Sequence, residues 1–166
     1  MVGIEGSTAI ITGGTRGIGL AAARGLGALG ATVVLIGQDA SRAAAAAASL
    51  QEQGIDAIGA GCDVTDYDSL AALASELGPL GEADILIASA GVMSERMSKT
   101  LRTTAAEWQR VMRINVDGVF NAMSVFGPGM VERRLGRIIA VSACLGRFTG
   151  PGTSGGLAPY RVSKAA

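Results

Sequence analysis

The stretch Thr8-Ala9-Ile10-Ile11-Thr12-Gly13-Gly14-Thr15-Arg16-Gly17-Ile18-Gly19 decides how the chain is read. Its first five residues form an apolar run of the length of one buried strand, and the glycine-rich turn after them leads into a helical stretch from Gly17 to about Leu29. A strand, a glycine turn and a helix in that order present backbone amides and a helix dipole to an anion such as pyrophosphate, and the glycines let a nucleotide approach the main chain. An isolated turn of this kind serves backbone geometry alone about half the time. Its place directly after an opening strand favours the ligand.

Outward from this stretch, short apolar runs alternate with longer helical ones. Candidate strands are Thr8–Thr12, Thr32–Ile36, Ala57–Ala60, Asp84–Ala88 and Arg137–Ser142, with helices near Gly17–Leu29, Ser41–Gln53 and Asp66–Leu77 between them. The second and fourth strands are continuously apolar, as expected of a parallel sheet covered on both faces. The Ala43–Ala48 tract is strong helix former, not linker. The longest helix should start at Thr104, where Thr104-Ala105-Ala106-Glu107 has capping-box form, and run towards Val131 before Gly136, with Asn115 in its middle. Gly146–Gly156, with five glycines and Pro151, reads as a mobile surface loop. No repeat or second domain interrupts residues 1–166, a length that supports one core.

Fourteen basic and fourteen acidic residues cancel, so no net field draws nucleic acid or an anionic membrane, and a small molecule is the expected partner. The N-terminus lacks a cationic region followed by an apolar stretch, and nowhere do eighteen apolar residues run together, so a soluble, cytoplasmic protein is expected. Histidine is absent, which excludes a histidine-based triad; Cys62 and Cys144 lack metal-ligand spacing, which excludes a zinc site. Both cysteines are expected to be buried free thiols.

Five further positions carry chemical signals. Asp63 follows the third strand, where an open α/β sheet binds ligands, and its carboxylate suits an adenine amino group; Thr65 or Asp66 can cap the next helix without it. Ser142 ends the fifth strand and Asn115 stands within the long helix, although each alone is more often a turn residue or a solvated amide. Tyr160 and Lys164, four apart on a helix, lie one above the other, so an ammonium stands beside a phenol and favours its ionised form. The plainer reading is an amphipathic helix whose lysine stem covers apolar surface. The order of glycine loop, carboxylate, asparagine, serine and tyrosine-lysine, each at the element where a dinucleotide oxidoreductase needs it, decides between them.

This set resembles the short-chain dehydrogenase/reductase family in its common single-domain branch, whose Gly-x-x-x-Gly-x-Gly spacing is matched by Gly13, Gly17 and Gly19. The resemblance covers the entire chain. It implies a Rossmann-type α/β fold, a doubly wound parallel sheet of five strands in order 3-2-1-4-5 within an αβα sandwich. It implies further that Tyr160 is the general acid/base, that Lys164 lowers its pKa and binds the nicotinamide ribose, that Ser142 polarises the substrate oxygen, and that Asn115 supports a proton-relay water. No metal is required. The cofactor would lie on the glycine loop through Gly13, Thr15, Arg16, Gly17, Ile18 and Gly19, and on the strand exits through Gln38, Asp63, Val64, Ala90 and Gly91, as well as on Tyr160 and Lys164. Relatives form homo-oligomers through the long helix and the helix near Tyr160, so Trp108, Val111 and Met112 are candidates to face a partner subunit; core packing explains them equally.

The chain departs from the family pattern at three places. Ala88-Ser89-Ala90-Gly91 replaces Asn-Asn-Ala-Gly and loses amides that tie strand ends together. The Ser142–Tyr160 segment is longer than usual, which obscures the substrate. Relatives continue for roughly another half-domain beyond a five-strand portion, so residues 1–166 read as a domain incomplete at its C-terminal end, with an aggregation-prone fifth-strand edge.

An NAD site places an acid at the end of the second strand, whereas Gly37 and Gln38 stand there in this chain. Arg16 and Arg42 favour NADP(H), while Asp39 argues for NAD(H). The expected reaction is hydride transfer between the nicotinamide and a carbonyl or alcohol carbon; the alternative is a catalytically silent nucleotide-binding or interaction protein on the same fold.

Overall fold

The computed structural model describes residues 3–95, 100–147 and 156–166. Five strands, β1 (Thr8–Thr12), β2 (Thr32–Gly37), β3 (Ala57–Gly61), β4 (Ile85–Ala88) and β5 (Arg137–Ala140), form one sheet in the order β3-β2-β1-β4-β5. Every neighbouring pair is parallel. Successive side chains on a strand face opposite ways. Ala9, Ile11, Val33, Leu35 and Ile87 therefore meet helices α1 (Gly17–Gly27) and α2 (Ala40–Gln51) through Ala23, Ala47 and Leu50 on one face. Ile10, Val34, Ile36 and Leu86 meet α3 (Tyr67–Glu76) and α5 (Gly118–Arg133) through Leu70, Ala122, Phe126 and Met130 on the other. Helices on both faces explain why the strands read as unbroken apolar runs, each fully buried isoleucine or leucine contributing about 1.5–3 kcal/mol. The alanine tract of α2 has a packing cause as well as a propensity one. A Cβ at Gly59 of β3 would strike the Ala43 carbonyl, so this helix lies closer to its strand than any larger pair of residues permits.

The long helix is three pieces: α4 (Ala105–Met112), a π turn (Arg113–Asp117) and α5. Thr104 Oγ1 caps α4 by accepting the Glu107 amide at 3.2 Å, but Glu107 does not complete the capping box. Its carboxylate accepts the Glu95 amide at 2.7 Å instead. In the π turn the Gly118 amide reaches back to the Arg113 carbonyl, an arrangement often found at functional positions. The α5 helix continues past Val131 and is closed by Arg134 in the left-handed conformation (φ 53°).

Other expectations are corrected. The β5 strand stops at Ala140, so Ser142 lies beyond it, and Gly146 and Arg147 belong to a short helix, α6 (Cys144–Arg147), not to a loop. The rest of that loop, 148–155, lies outside the described residues. Cys62 is buried, but Cys144 is exposed. Val111 is fully buried, which makes it core and removes it from any partner-facing surface. The helix bearing Tyr160 is α7 (Ala158–Ala165). Among the described residues, no helix is long and apolar enough to cross a membrane.

Candidate active site

The chain leaves β1 for one side of the sheet and crosses to β4 on the other, and at the carboxyl ends of these strands lies a crevice of about 480 Å3. Open parallel sheets bind ligands at this switch in direction. Gly13 has φ 66°, and a Cβ on it would lie 2.7 Å from the Ala90 backbone, so only glycine lets the turn approach the β4 exit this closely. Gly19 is buried, where a Cβ would strike the Gly13 carbonyl. It shapes the turn from behind, whereas Gly13, Thr15, Arg16, Gly17 and Ile18 line the crevice. Arg16 occupies the N-cap of α1 and makes no side-chain capping bond. First-turn amides of a helix have no intrahelical acceptors, and here they border the crevice.

On the β3 side, Asp63 and Val64 line the same crevice. Asp63 Oδ1 accepts the Thr65 amide at 2.9 Å, and Oδ2 accepts Gln38 Nε2 at 3.1 Å. The cap of α3 is Asp66, which accepts the Ser69 amide at 3.0 Å, so Asp63 is not needed for it. Asp39 turns away from the crevice into α2. It accepts the Ser41 hydroxyl at 2.6 Å and the amides of Ser41 and Arg42 at 2.9 and 3.1 Å, bonds that hold its carboxyl below the usual carboxylate range, the Ser41 hydroxyl acting most strongly.

Tyr160, Lys164 and Ser142 line the opposite end of the crevice. Their common placement comes from one face of α7 packed beside the β5 exit. Lys164 Nζ donates to the Val141 carbonyl at 2.7 Å, and partial burial lowers the pKa of this ammonium because removal from water disfavours its charged form. Ser142 Oγ donates to the Lys164 carbonyl at 2.6 Å, satisfying one of the carbonyls that a helix leaves open in its last turn. The hydroxyl hydrogen of Ser142 is thus committed to main chain, not to the crevice.

Asn115 stands behind the wall, 4% exposed. Its Oδ1 accepts the Val92 amide at 2.8 Å, while Nδ2 donates to the Val92 carbonyl and to Ser163 Oγ, both at 2.9 Å. One side chain therefore joins the β4 exit to α7. Buried Thr12 ties the same exit to β1: its carbonyl accepts the Ser89 amide at 3.2 Å and its Oγ1 the Ala90 amide at 3.3 Å. These two residues supply ties that Ala88-Ser89 does not.

The short chain dehydrogenase profile matches residues 7–166. The chain belongs to the short chain dehydrogenase family. It is 34% identical to gluconate 5-dehydrogenase of Gluconobacter oxydans, over 98% of this chain and 62% of that protein. It resembles the structure of a gluconate 5-dehydrogenase from Burkholderia cenocepacia in complex with NADP and tartrate (TM-score 0.88, 32% identity, 98% of this chain and 62% of that one). It also resembles a 3-oxoacyl-[acyl-carrier protein] reductase with bound NAD from Brucella melitensis (TM-score 0.89, 30% identity, 97% and 61%). The chain spans about three fifths of the length of these relatives.

In this short chain dehydrogenase family member, the crevice also takes in Gly37, already placed at the second-strand exit, and Cys62, Val92, Met93 and Ile114, which sequence reasoning missed. Four of them are glycine or apolar, types whose ordinary place is the core, and only their position at strand and helix ends signals a site. Gly37 has a steric cause, since a Cβ there would lie 2.5 Å from Thr15 Cγ2. Burial first, then the carboxylates of Asp66 and Asp63, push the Cys62 thiol up, so it stays protonated and makes a poor nucleophile.

Proposed function

We propose that this chain serves NAD(P)(H)-dependent oxidoreduction of a small molecule, interconverting a carbonyl and a secondary alcohol. The observation that carries the reading is the single crevice bordered at one end by the glycine turn and Asp63 and at the other by Tyr160, Lys164 and Ser142. The glycine turn suits a pyrophosphate, because Gly13 leaves no Cβ in the way and the N-terminus of α1 carries no side-chain cap. Asp63, oriented by Gln38 and Thr65, suits the adenine amino group. When bound, the nicotinamide supplies or accepts the hydride.

The chain's own residues handle the proton. In reduction the Tyr160 hydroxyl passes its proton to the carbonyl oxygen, and in oxidation it takes the proton from the alcohol. Lys164 sits one turn along on the same helix face, where its positive charge offsets the charge left on the phenol oxygen, and its ammonium, now bonded to the Val141 carbonyl, would hold the ribose hydroxyls of a bound nicotinamide cofactor. Ser142, which lines the crevice, would donate to the substrate oxygen by giving up its bond to the Lys164 carbonyl. Asn115 supports a relay at Lys164: a Cβ on Gly91 would lie 3.3 Å from Asn115 Oδ1 and 3.4 Å from Lys164 Nζ, so the two groups border one spot. NADP(H) is the preferred cofactor, because Arg16 faces the crevice while the Asp39 carboxylate, the group that would argue for a ribose diol, is engaged by α2 and by Arg42 at 3.4 Å. The whole enzyme is a homo-oligomer, with Trp108 of α4, 39% exposed, at the subunit contact.

The test is a fluorescence titration with NADPH and NADH, followed by hydride transfer measured against a panel of carbonyls and alcohols. Tyr160→Phe should remove nearly all turnover while cofactor affinity stays within about twofold. Unchanged turnover rules out the assignment. Arg16→Ala should weaken NADPH binding far more than NADH binding; equal losses remove the NADP(H) preference.

A further inference from the structure

We propose that Glu107 and Arg110 of α4 are positioning residues that set the crevice wall at its Tyr160–Lys164 end by clamping the main chain at Met93 and Glu95. The inference rests on the oxidoreductase reading above. The segment leaving β4 has no partner strand beyond Ala88, and its successive polar main-chain groups are held from outside. Thr12 holds Ser89 and Ala90, and Asn115 holds both polar groups of Val92. The next anchors come from one ion pair. Arg110 Nη2 donates to the Met93 carbonyl at 2.9 Å, and Glu107 Oε1 accepts the Glu95 amide at 2.7 Å. The pair is itself bidentate, Arg110 Nε to Glu107 Oε2 at 2.8 Å and Nη2 to Oε1 at 3.0 Å, so each charge fixes the direction of the other. Arg110 also lies 3.6 Å from the Glu95 carboxylate.

This explains why Glu107 does not complete the capping box: its carboxylate is occupied by Arg110 and Glu95, which together hold it below the usual carboxylate range, Arg110 foremost. The clamp begins at Met93, which lines the crevice next to the Asn115-held Val92 and Gly91, the residue bordering Lys164. With the 92–93 peptide plane held by Asn115 through the Val92 carbonyl, fixing the Met93 carbonyl fixes the plane that follows, and the two together set the direction of the Met93 Cα–Cβ bond at the crevice wall. Ser94 Oγ is buried with no hydrogen-bond partner among the described residues. The ligand half that meets this wall is the nicotinamide half, since the adenine end lies at Gln38 and Asp63.

The experiment compares two probes: NADPH, and 2′-phospho-ADP-ribose, which lacks the nicotinamide. Arg110→Ala should weaken NADPH about tenfold, the equivalent of about 1.4 kcal/mol, and leave the affinity for 2′-phospho-ADP-ribose within about twofold. Arg110→Lys keeps the charge and one donor, and should recover part of the loss. Amide hydrogen exchange at Glu95 should speed up at least about tenfold in Glu107→Ala, and remain near the parent rate in Glu107→Gln, whose amide oxygen still accepts. Equal weakening of both probes, or no change in either, overturns the clamp, as does a Glu95 amide that exchanges freely in the unmodified chain. A parent chain that binds neither probe instead overturns the oxidoreductase reading, and the positioning role falls with it.

Discussion

Replacing Asn115 with alanine removes the bonds to the Val92 amide, the Val92 carbonyl and Ser163 Oγ from a side chain that is 4% exposed. Each buried hydrogen bond contributes about 1 kcal/mol net, and a donor or acceptor left unpaired costs about 1–3 kcal/mol where water does not reach it. Val92 is only half-buried, so water takes up part of its lost bonding, and the expected loss is about 3 kcal/mol. At a urea slope of about 2 kcal/mol per M, the unfolding midpoint should fall by about 1.5 M. Ser163→Ala removes one bond to Asn115 and a local one to the Tyr160 carbonyl, and should cost about 1 kcal/mol. The double variant should then be less destabilised than the sum by about 1 kcal/mol, the signature of two residues in contact. Asn115→Asp adds a sign test. Its carboxylate keeps the Val92 amide but faces the Val92 carbonyl, so this variant should regain stability relative to the parent as pH falls and the carboxyl protonates into a donor. A midpoint shift below about 0.5 M for Asn115→Ala, or strict additivity with Ser163→Ala, would refute the view that this residue ties the β4 exit to α7.

Two other outcomes are expected from the same physical account. Because burial lowers the Lys164 pKa from 10.5, the folded state gives up this proton before the unfolded state does; the parent should gain stability relative to Lys164→Met as pH rises from the lowered value through 10.5, and urea midpoints of both proteins from pH 7 upward check this. A flat difference would mean that the ammonium is as well hydrated folded as unfolded. Arg134→Gly should stabilise the fold by about 1 kcal/mol, raising Tm by roughly 2–4 °C, because glycine adopts the left-handed cap of α5 without a Cβ penalty; a lowered Tm would show that the arginine side chain outweighs its backbone strain.

Much of the site was legible because its residues carry chemical types that have few other uses together. Tyr160 and Lys164 are four apart, and helix geometry alone brings them to one face. The glycine turn was legible from its place after the opening strand, while the positive φ of Gly13 and Gly17 is a finding of the structure. The long helix shows the opposite case. Thr104 signals its start, yet the π turn around Asn115 leaves no mark in composition, because a one-residue widening of the hydrogen-bond ring is driven by what the helix packs against. Glu107 looked like half of a capping box, and its real partners, Glu95 and Arg110, are chosen by where the β4 exit lies in space. Ser142 lines the crevice from beyond the end of β5, but the direction of its hydroxyl depends on an open carbonyl of α7 that no local pattern reveals.

The strand-helix alternation, the glycine turn and the four-residue spacing of Tyr160 and Lys164 can be read along the chain, because they follow from short-range sterics, periodicity and burial. That Asn115 serves as a tie, that Asp39 faces its helix and not the crevice, and that Met93 and Glu95 are held by Arg110 and Glu107 emerges from tertiary packing. Those choices are made by hydrogen-bond partners 12 to 48 residues apart or by competition among several nearby ones, and the geometry that settles them exists only once the sheet and its helices have come together.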